Sequence, residues 1–523
     1  MAKEYDVIIA GCGHNGLIVG SYLTKAGLDV CLFEKQAYVG GGAATRELTI
    51  PGFRHDVCSM GHIFIQPNPL IRNDELELFS KYDLKYLYPD DQVAVIFSDG
   101  KVLEFYKDLD KTCEQIAKFS QKDAETYRRF HDWSIKTLDL LTTGMFSPPA
   151  PFGSFVSLLD SSEEGRNLLR SQFVSSLDIC NEWFESDYTK IALTRWASEG
   201  MIAPQTKGTG NVLFIFIPVM HKYGMAIPET GSGALSEALE RLLIDQGATV
   251  RTSTPVKEFK VVGGECKGVI LEDGEEVLAK KMVVTNFNVK QVFPNMIQGA
   301  SLPDGFTDKV ERISFSDYQA FHLELALNEA PNYKCGTETS LVEYCDADLV
   351  KYLRGFDDLV YGIPRTDFPV LHCPTRVDPT RATEGKHTLY IYQYAPYDLH
   401  DGGGAKWDEI SEEFCEGLLT KIRDKTTNMG DENILGRWYK SPLDYERYNP
   451  AWPHGDFTHI GSHINQALGN RPLPGWSQYK TPVDKLYLCG PSTHPGMGVV
   501  GAGRAAVLVL MEDLGIDFEK VIA

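Results

Sequence analysis

Three glycines, Gly11, Gly13 and Gly16, stand at G-x-G-x-x-G spacing directly after the β-branched run Val7-Ile8-Ile9. Glu34 follows Gly11 by 23 residues, near the end of a second strand-like run, Asp29–Lys35. In that order the residues suit a dinucleotide. The first glycine permits a tight turn, the second lets backbone approach a pyrophosphate, and the third lets a helix pack closely on a strand. The helix that follows offers free N–H groups and the positive end of its dipole to the phosphates, so His14 and Asn15 at its start join the cofactor-binding set. A carboxylate at Glu34 accepts from the ribose hydroxyls of an adenosine and repels a 2′-phosphate, which excludes NADP. Lys35 lies beside it.

A further glycine cluster, Gly40-Gly41-Gly42-Ala43-Ala44-Thr45, comes five residues after Lys35. An NAD dehydrogenase has no need of it, and it favours FAD over NAD. Near the other end, Gly496-Met497-Gly498-Val499-Val500-Gly501 also satisfies G-x-G-x-x-G. Only 22 residues remain after Gly501, too few for a returning strand with a ribose carboxylate. A helix N-terminus beside a flavin ring, stabilising negative charge there, is the better reading of that segment.

These groups need a frame. Tyr5–Ala10, a helix from Leu17 to Ala26, and Asp29–Lys35 make strand, helix and strand in about 30 residues, a βαβ unit. Residues 108–200 read as mostly helical, broken by Pro148-Pro149-Ala150-Pro151. An amphipathic helix is expected over Ala234–Gln246, then strands at Thr249–Ser253, Val256–Val262, Gly268–Glu272 and Met282–Thr285. Residues 300–480 mix strands, helices and proline-rich loops, and a last strand, Lys485–Cys489, leads to a helix from about Val499 to Leu514.

The 523 residues give room for roughly two to four domains. A net charge of −21 argues against nucleic acid and polybasic membrane anchoring. Eleven dispersed cysteines without a C-x-x-C pair read as reduced thiols. No leader or lipidation signal is read at either end, and a cytoplasmic location is expected, with peripheral membrane contact left open. The apolar stretch Val212–Met220 contains Pro218 and reads as buried core, with a tunnel wall or a membrane dip as alternatives.

Three blocks resemble the phytoene-dehydrogenase-like FAD flavoproteins, a group of carotenoid desaturases, ketolases and isomerases together with a pyridine-nucleotide-disulfide-oxidoreductase-domain protein. They are "YDVIIAGCGHNGL … FEKQAYVGGGAAT … PGFRHDVCSMGHIF" within residues 5–64, "IPETGSGALSEALERLLIDQGATVRTSTPVKEF" (227–259) and "KLYLCGPSTHPGMGVVGAGRAA" (485–506). The resemblance implies an α/β fold with a Rossmann-type FAD-binding domain assembled from segments 1–70, 226–300 and 481–523. A mixed α+β substrate domain (301–480) and a helical region (71–225) complete it. It implies non-covalent FAD, with Gly11, Gly13, Gly16 and Glu34 on the ADP half and Gly41, Gly42 and Ala43 along the pyrophosphate and ribityl chain. Val256 is expected at the adenine, and Asn286 where the FAD domain closes. Met60, Gly61, Gly490, Met497, Gly498 and Val499 are expected toward the flavin end.

His62 and His494 are the candidates for acid/base or substrate-orienting work, the alternative being that each imidazole only hydrogen-bonds a loop or the ribityl chain. His55 and Asp56 are expected to organise their loop. His459 and His463 are spaced i, i+4 but lack an acidic third ligand, and no metal is expected. Tyr390, Tyr392 and Tyr394 share one face of a strand, either lining an apolar substrate pocket or packing beneath helices. The leading functional reading is an FAD-dependent oxidoreductase that takes hydride from an apolar or aromatic molecule, isoprenoid-like compounds among the candidates, and passes electrons to oxygen, a quinone or another acceptor. A double-bond isomerase without net redox and a non-catalytic lipid-escort protein are the alternatives.

Overall fold

The computed structural model describes residues 3–496 and 498–523. The sequence-predicted Met497 lies outside the described residues. Two seven-stranded sheets organise the chain. In the first, β1 (Lys3–Ala10) lies parallel between β2 (Val30–Phe33) and the strand Glu276–Thr285. Thr249–Arg251 extends the parallel set beyond β2, and Leu486–Leu488 pairs with Glu276–Thr285. Val256–Val262 and Glu265–Leu271 add an antiparallel edge. Val7 to Ala10 and Val30 to Phe33 are buried without interruption. That continuity is what a parallel strand covered on both faces requires, and it explains why neither run alternates.

The helix α1 (His14–Lys25) starts three residues earlier than the sequence suggests, because Gly13 itself is the extended N-cap. Glu276–Thr285 is longer than predicted, reaching out to pair with the antiparallel edge. The closing helix spans Gly503–Leu514 rather than starting near Val499. Gly501, at φ +74°, is in the left-handed region and cannot continue a right-handed helix through 499–502.

The second sheet runs Ile434–Lys440, Gln319–Leu327, His387–Ala395, Val370–His372, Leu341–Cys345, Asp91–Phe97 and Val102–Tyr106. Its pairs are antiparallel except that between Leu341–Cys345 and Asp91–Phe97. Helices Gln121–Met145, Asp187–Ala197 and Asn211–Tyr223 cover one face, sharing a core with Tyr390, Tyr392 and Tyr394. Val212–Met220 therefore lies within a mostly buried helix that retains Pro218. Among the described residues no helix is long and apolar enough to cross a membrane.

One buried ion cluster ties loops from both sheets together. Arg381 donates to Asp56 at 2.6 Å, to Asp378 at 3.2 Å and to the Pro228 carbonyl at 3.1 Å. Asp56 also accepts from the Ser232 N–H and the Thr45 hydroxyl, both at 2.7 Å. Charges this deeply buried hold only with such full pairing. Asp56 thus organises its loop, and His55 does so too, linking Thr49 at 2.7 Å to Glu324 at 2.8 Å.

Candidate cofactor and substrate site

A cavity of about 720 Å³ runs from the carboxyl ends of the first sheet into the helix-covered face of the second. At its first end β1 stops at Ala10, and Gly11 turns the chain at φ +94°. A side chain on Gly13 would run into Asn286, and one on Gly16 into the Gly11 carbonyl. Backbone itself blocks any side chain at Gly16, whereas a Cβ at Gly13 would have to displace the Asn286 amide. The second glycine cluster clamps against this loop: the Gly40 N–H donates to the Cys12 carbonyl at 2.8 Å, and a Cβ on Gly41 would lie 3.2 Å from Gly13 Cα.

The helix start is uncapped by any side chain. Around it three buried polar atoms find no partner among the described residues: His14 Nε2, Asn15 Nδ2 and Asn286 Oδ1. Buried polar atoms are normally satisfied, so this cradle is built for a polar ligand. The Glu34 carboxylate accepts from the N–H groups of Cys12 and Gln36, both at 2.9 Å, and keeps lone pairs free on the cavity side. Burial raises its pKa, while those two N–H groups pull it back. Backbone donors, unpartnered amides and a cavity-facing carboxylate fit the ADP part of a dinucleotide.

Of the residues expected from sequence, Gly11, Gly13, His14, Asn15, Glu34, Lys35, Gly41 and Gly42 line this cavity. Met60, Gly61, Val256, Asn286, Gly498 and Val499 line it as well. Gly16 and Ala43 stand behind the wall. The Ala43 carbonyl accepts from Ser236 at 2.8 Å. Gly490 backs Asn286, whose Oδ1 would meet a Cβ there at 2.7 Å.

The structure brings neither catalytic candidate to the cavity wall. His62 is fully buried, with Nδ1 on the Tyr86 hydroxyl at 2.9 Å and Nε2 on Ser232 at 2.7 Å. His494 donates through Nε2 to the Gly144 carbonyl at 2.8 Å. Burial pushes the two imidazoles down to about 3 and about 4, so both are neutral near pH 7. His459 does reach the cavity wall, with Nδ1 3.3 Å from Ser492, whereas His463 is bound to Asp317 at 2.9 Å. Arg471 fixes that wall by donating to the carbonyls of Gly461 at 3.0 Å and Pro491 at 2.6 Å.

The lobe under the second sheet is apolar and aromatic. Trp196, Met201, Phe216, Ala320, Leu341 and Tyr390 form its walls. Tyr390 and Tyr392 face it, while Tyr394 packs behind on Tyr318 and Arg195. The aromatic run after Trp438 contributes Tyr445, Tyr448 and Trp452 to the wall between the two lobes. Beneath them Lys440 donates to the Val57 carbonyl at 3.2 Å and faces the Tyr445 ring at 3.8 Å. Burial pushes its ammonium down to about 8.

Sequence reading missed Trp196, Glu199, Glu343 and Lys440. A signal existed for Glu343: it is the one charged residue in the strand Leu341-Val342-Glu343-Tyr344-Cys345, and it is 3% exposed.

A model of the family described as flavin containing amine oxidoreductase matches residues 16–326, more than half the chain. The chain belongs to this family. Pyridine nucleotide-disulfide oxidoreductase domain-containing protein 2 of Rattus norvegicus is 29% identical, over 98% of this chain and 94% of its own. A limonene dehydrogenase subunit of Castellaniella defragrans is 24% identical, over 98% and 96%. An oxidoreductase from Methanosarcina mazei shares the fold, with a TM-score of 0.62 at 17% identity over 97% of this chain and 99% of that one. As a flavin containing amine oxidoreductase, the protein is an FAD-dependent oxidoreductase with the Rossmann-type FAD-binding and substrate-domain architecture. The phytoene-dehydrogenase-like resemblance holds along nearly the whole chain, beyond the three blocks that carried it.

Proposed function

We propose that this enzyme takes hydride from an apolar or aromatic small molecule, held in the lobe under the second sheet, and that oxygen, a quinone or another diffusible acceptor takes the electrons. The observation that carries this reading is the continuity of the cavity, whose glycine-and-carboxylate end and aromatic end are parts of one space. The limonene dehydrogenase relative is named for an apolar hydrocarbon, which supports the same substrate class.

In this reading Glu34 holds the ribose, and the loops at Gly11–Gly16 and Gly40–Ala43 hold the pyrophosphate. Val256 meets the adenine, and Gly498 and Val499 lie at the flavin. FAD supplies a hydride acceptor at N5. The chain's own part is to bring a substrate carbon within about 3–3.5 Å of that point and to exclude water. Trp196, Phe216, Leu341 and Tyr390 do the excluding, and Tyr390 is fixed by donating to the Cys58 carbonyl at 2.6 Å.

The C-terminal glycine segment supports an acceptor other than nicotinamide. It leads into Gly503–Leu514, whose first N–H donates to Asn15 Oδ1 at 3.0 Å, so that segment closes the FAD cradle. Anaerobic stopped-flow mixing with NADH or NADPH should therefore leave the flavin's blue band unbleached over seconds. Rapid bleaching would overturn this assignment of the electron path. Dithionite-reduced protein mixed with air then separates the acceptors. Fast return of the band identifies oxygen, and slow return a quinone-like partner.

A further inference from the structure

The apolar lobe contains a polar corner that the fold has left incomplete. Helix Asp187–Ala197 supplies Arg195 and Trp196, the turn after it Glu199, and the strand Leu341–Cys345 supplies Glu343. Arg195 is fully buried and donates to Glu199 at 2.7 Å, to Ser198 at 3.1 Å and to the Tyr394 hydroxyl. Glu199 also accepts from Tyr394 at 2.9 Å and from Tyr392. Its carboxylate is thus neutralised and fully bonded.

Glu343 differs. It lines the cavity, yet its Oε2 accepts no hydrogen bond. Trp196 lines the same cavity at 1% exposure, and among the described residues its indole Nε1–H closes no hydrogen bond of good geometry. The two are near enough for the indole to ease the ionisation of Glu343, but no hydrogen bond closes between them. A buried acceptor and a buried donor left open in an apolar chamber are costly unless a ligand completes both.

The chemistry of the pair selects the ligand group. A hydroxyl donates one hydrogen bond and accepts others, so it completes both residues at once. An ammonium only donates, would leave the indole unpaired, and would sit beside the Arg195 cation. An ether only accepts, and a hydrocarbon does neither.

We propose that Glu343 and Trp196 form a subsite for a hydroxyl group carried by an otherwise apolar substrate, anchoring the molecule through O–H donation to Glu343 and acceptance from Trp196. This rests on the reading of the lobe as the substrate chamber. The substrate class narrows to apolar or aromatic molecules that bear a hydroxyl.

The test uses the FAD-loaded full chain and four probes with one apolar body: phenylbutanol, its methyl ether, phenylbutylamine and pentylbenzene. Calorimetry at pH 8.5, where Glu343 is ionised, gives each dissociation constant, and the shift of the flavin band gives an independent readout. The alcohol should bind at least about tenfold more tightly than the ether or the hydrocarbon, the scale of a hydrogen bond to a charged group. Glu343→Gln and Trp196→Phe, each checked for unchanged FAD content, should shrink severalfold the ratio by which the alcohol binds more tightly than pentylbenzene.

Equal binding of alcohol and ether overturns the proposal, as does tighter binding of the amine. An alcohol preference that survives both substitutions overturns the assignment to these residues. If pentylbenzene binds but the alcohol gains nothing, the hydroxyl subsite fails and the apolar chamber stands. If none of the four binds, the chamber reading fails and the proposal with it.

Discussion

Gly13→Val should purify as a colourless protein, with FAD affinity down at least about 100-fold. Even a single Cβ at this position runs into the Asn286 amide, and valine adds two further methyl groups. The loss has two sources. Backbone can no longer approach a pyrophosphate, and Asn286, which lines the cavity and turns its Nδ2 toward Gly13, is displaced. Gly153→Ala is the matched control, since a Cβ there meets nothing within 4 Å and the residue lies in an exposed helix. The ratio of blue-band to protein absorbance after gel filtration reads the outcome directly. The control should retain the wild-type ratio, and full retention in Gly13→Val would place the dinucleotide elsewhere.

Acid should destabilise the protein steeply between pH 6.5 and about 4. Burial pushes the imidazoles of His14, His55, His221 and His494 down to about 4, and those of His62, His372 and His459 to about 3. In the unfolded chain each titrates near its ordinary 6.5. Below that pH the unfolded state binds more protons than the folded one, and stability falls as pH falls. Buried carboxyls oppose this: burial raises Glu34, and it raises Glu324 and Glu343 to about 7, so these groups gain stability as pH drops toward 4.5. The seven histidines outweigh them, leaving a net loss on the order of 5 kcal/mol by pH 5.5. Thermal melts should show Tm lower by about 5 °C at pH 5.5 than at pH 7.5. A flat Tm over that interval would mean that these histidines open to water on demand.

The cofactor half of the site was legible because its requirements are written in backbone. Tight turns and close approaches admit only glycine, so Gly11, Gly13, Gly16 and Gly41 carry the geometry in their identity. Glu34 follows from the length of one βαβ unit. The substrate half was not legible in the same way. Its wall joins Trp196, Phe216, Ala320, Leu341 and Tyr390 across about 200 residues, and any apolar residue of suitable volume could serve at most of these positions. The tyrosine strand shows the limit well: its period identified one face, but Tyr390 and Tyr392 face the cavity while Tyr394 is committed to Arg195 and Glu199.

The histidines mark a different limit. His62 and His494 stand in blocks that border the cavity, yet what an imidazole does depends on what meets its nitrogens. Those partners, Tyr86, Ser232 and Gly144, are 24 to 350 residues away in the chain. Glu343, by contrast, carried a local signal. A lone carboxylate inside an otherwise apolar strand costs too much to be there without a partner or a ligand.

The central claim is that one cavity joins the FAD cradle to an apolar chamber, and filling the chamber tests it most directly. Ala320 lies on the strand Gln319–Leu327 and lines the chamber at 2% exposure. Titrating the FAD-loaded protein with pentylbenzene should shift the flavin's blue band saturably, and Ala320→Phe should abolish that shift while retaining wild-type FAD content. A shift that persists in Ala320→Phe, or its absence from the wild-type protein, would contradict the claim.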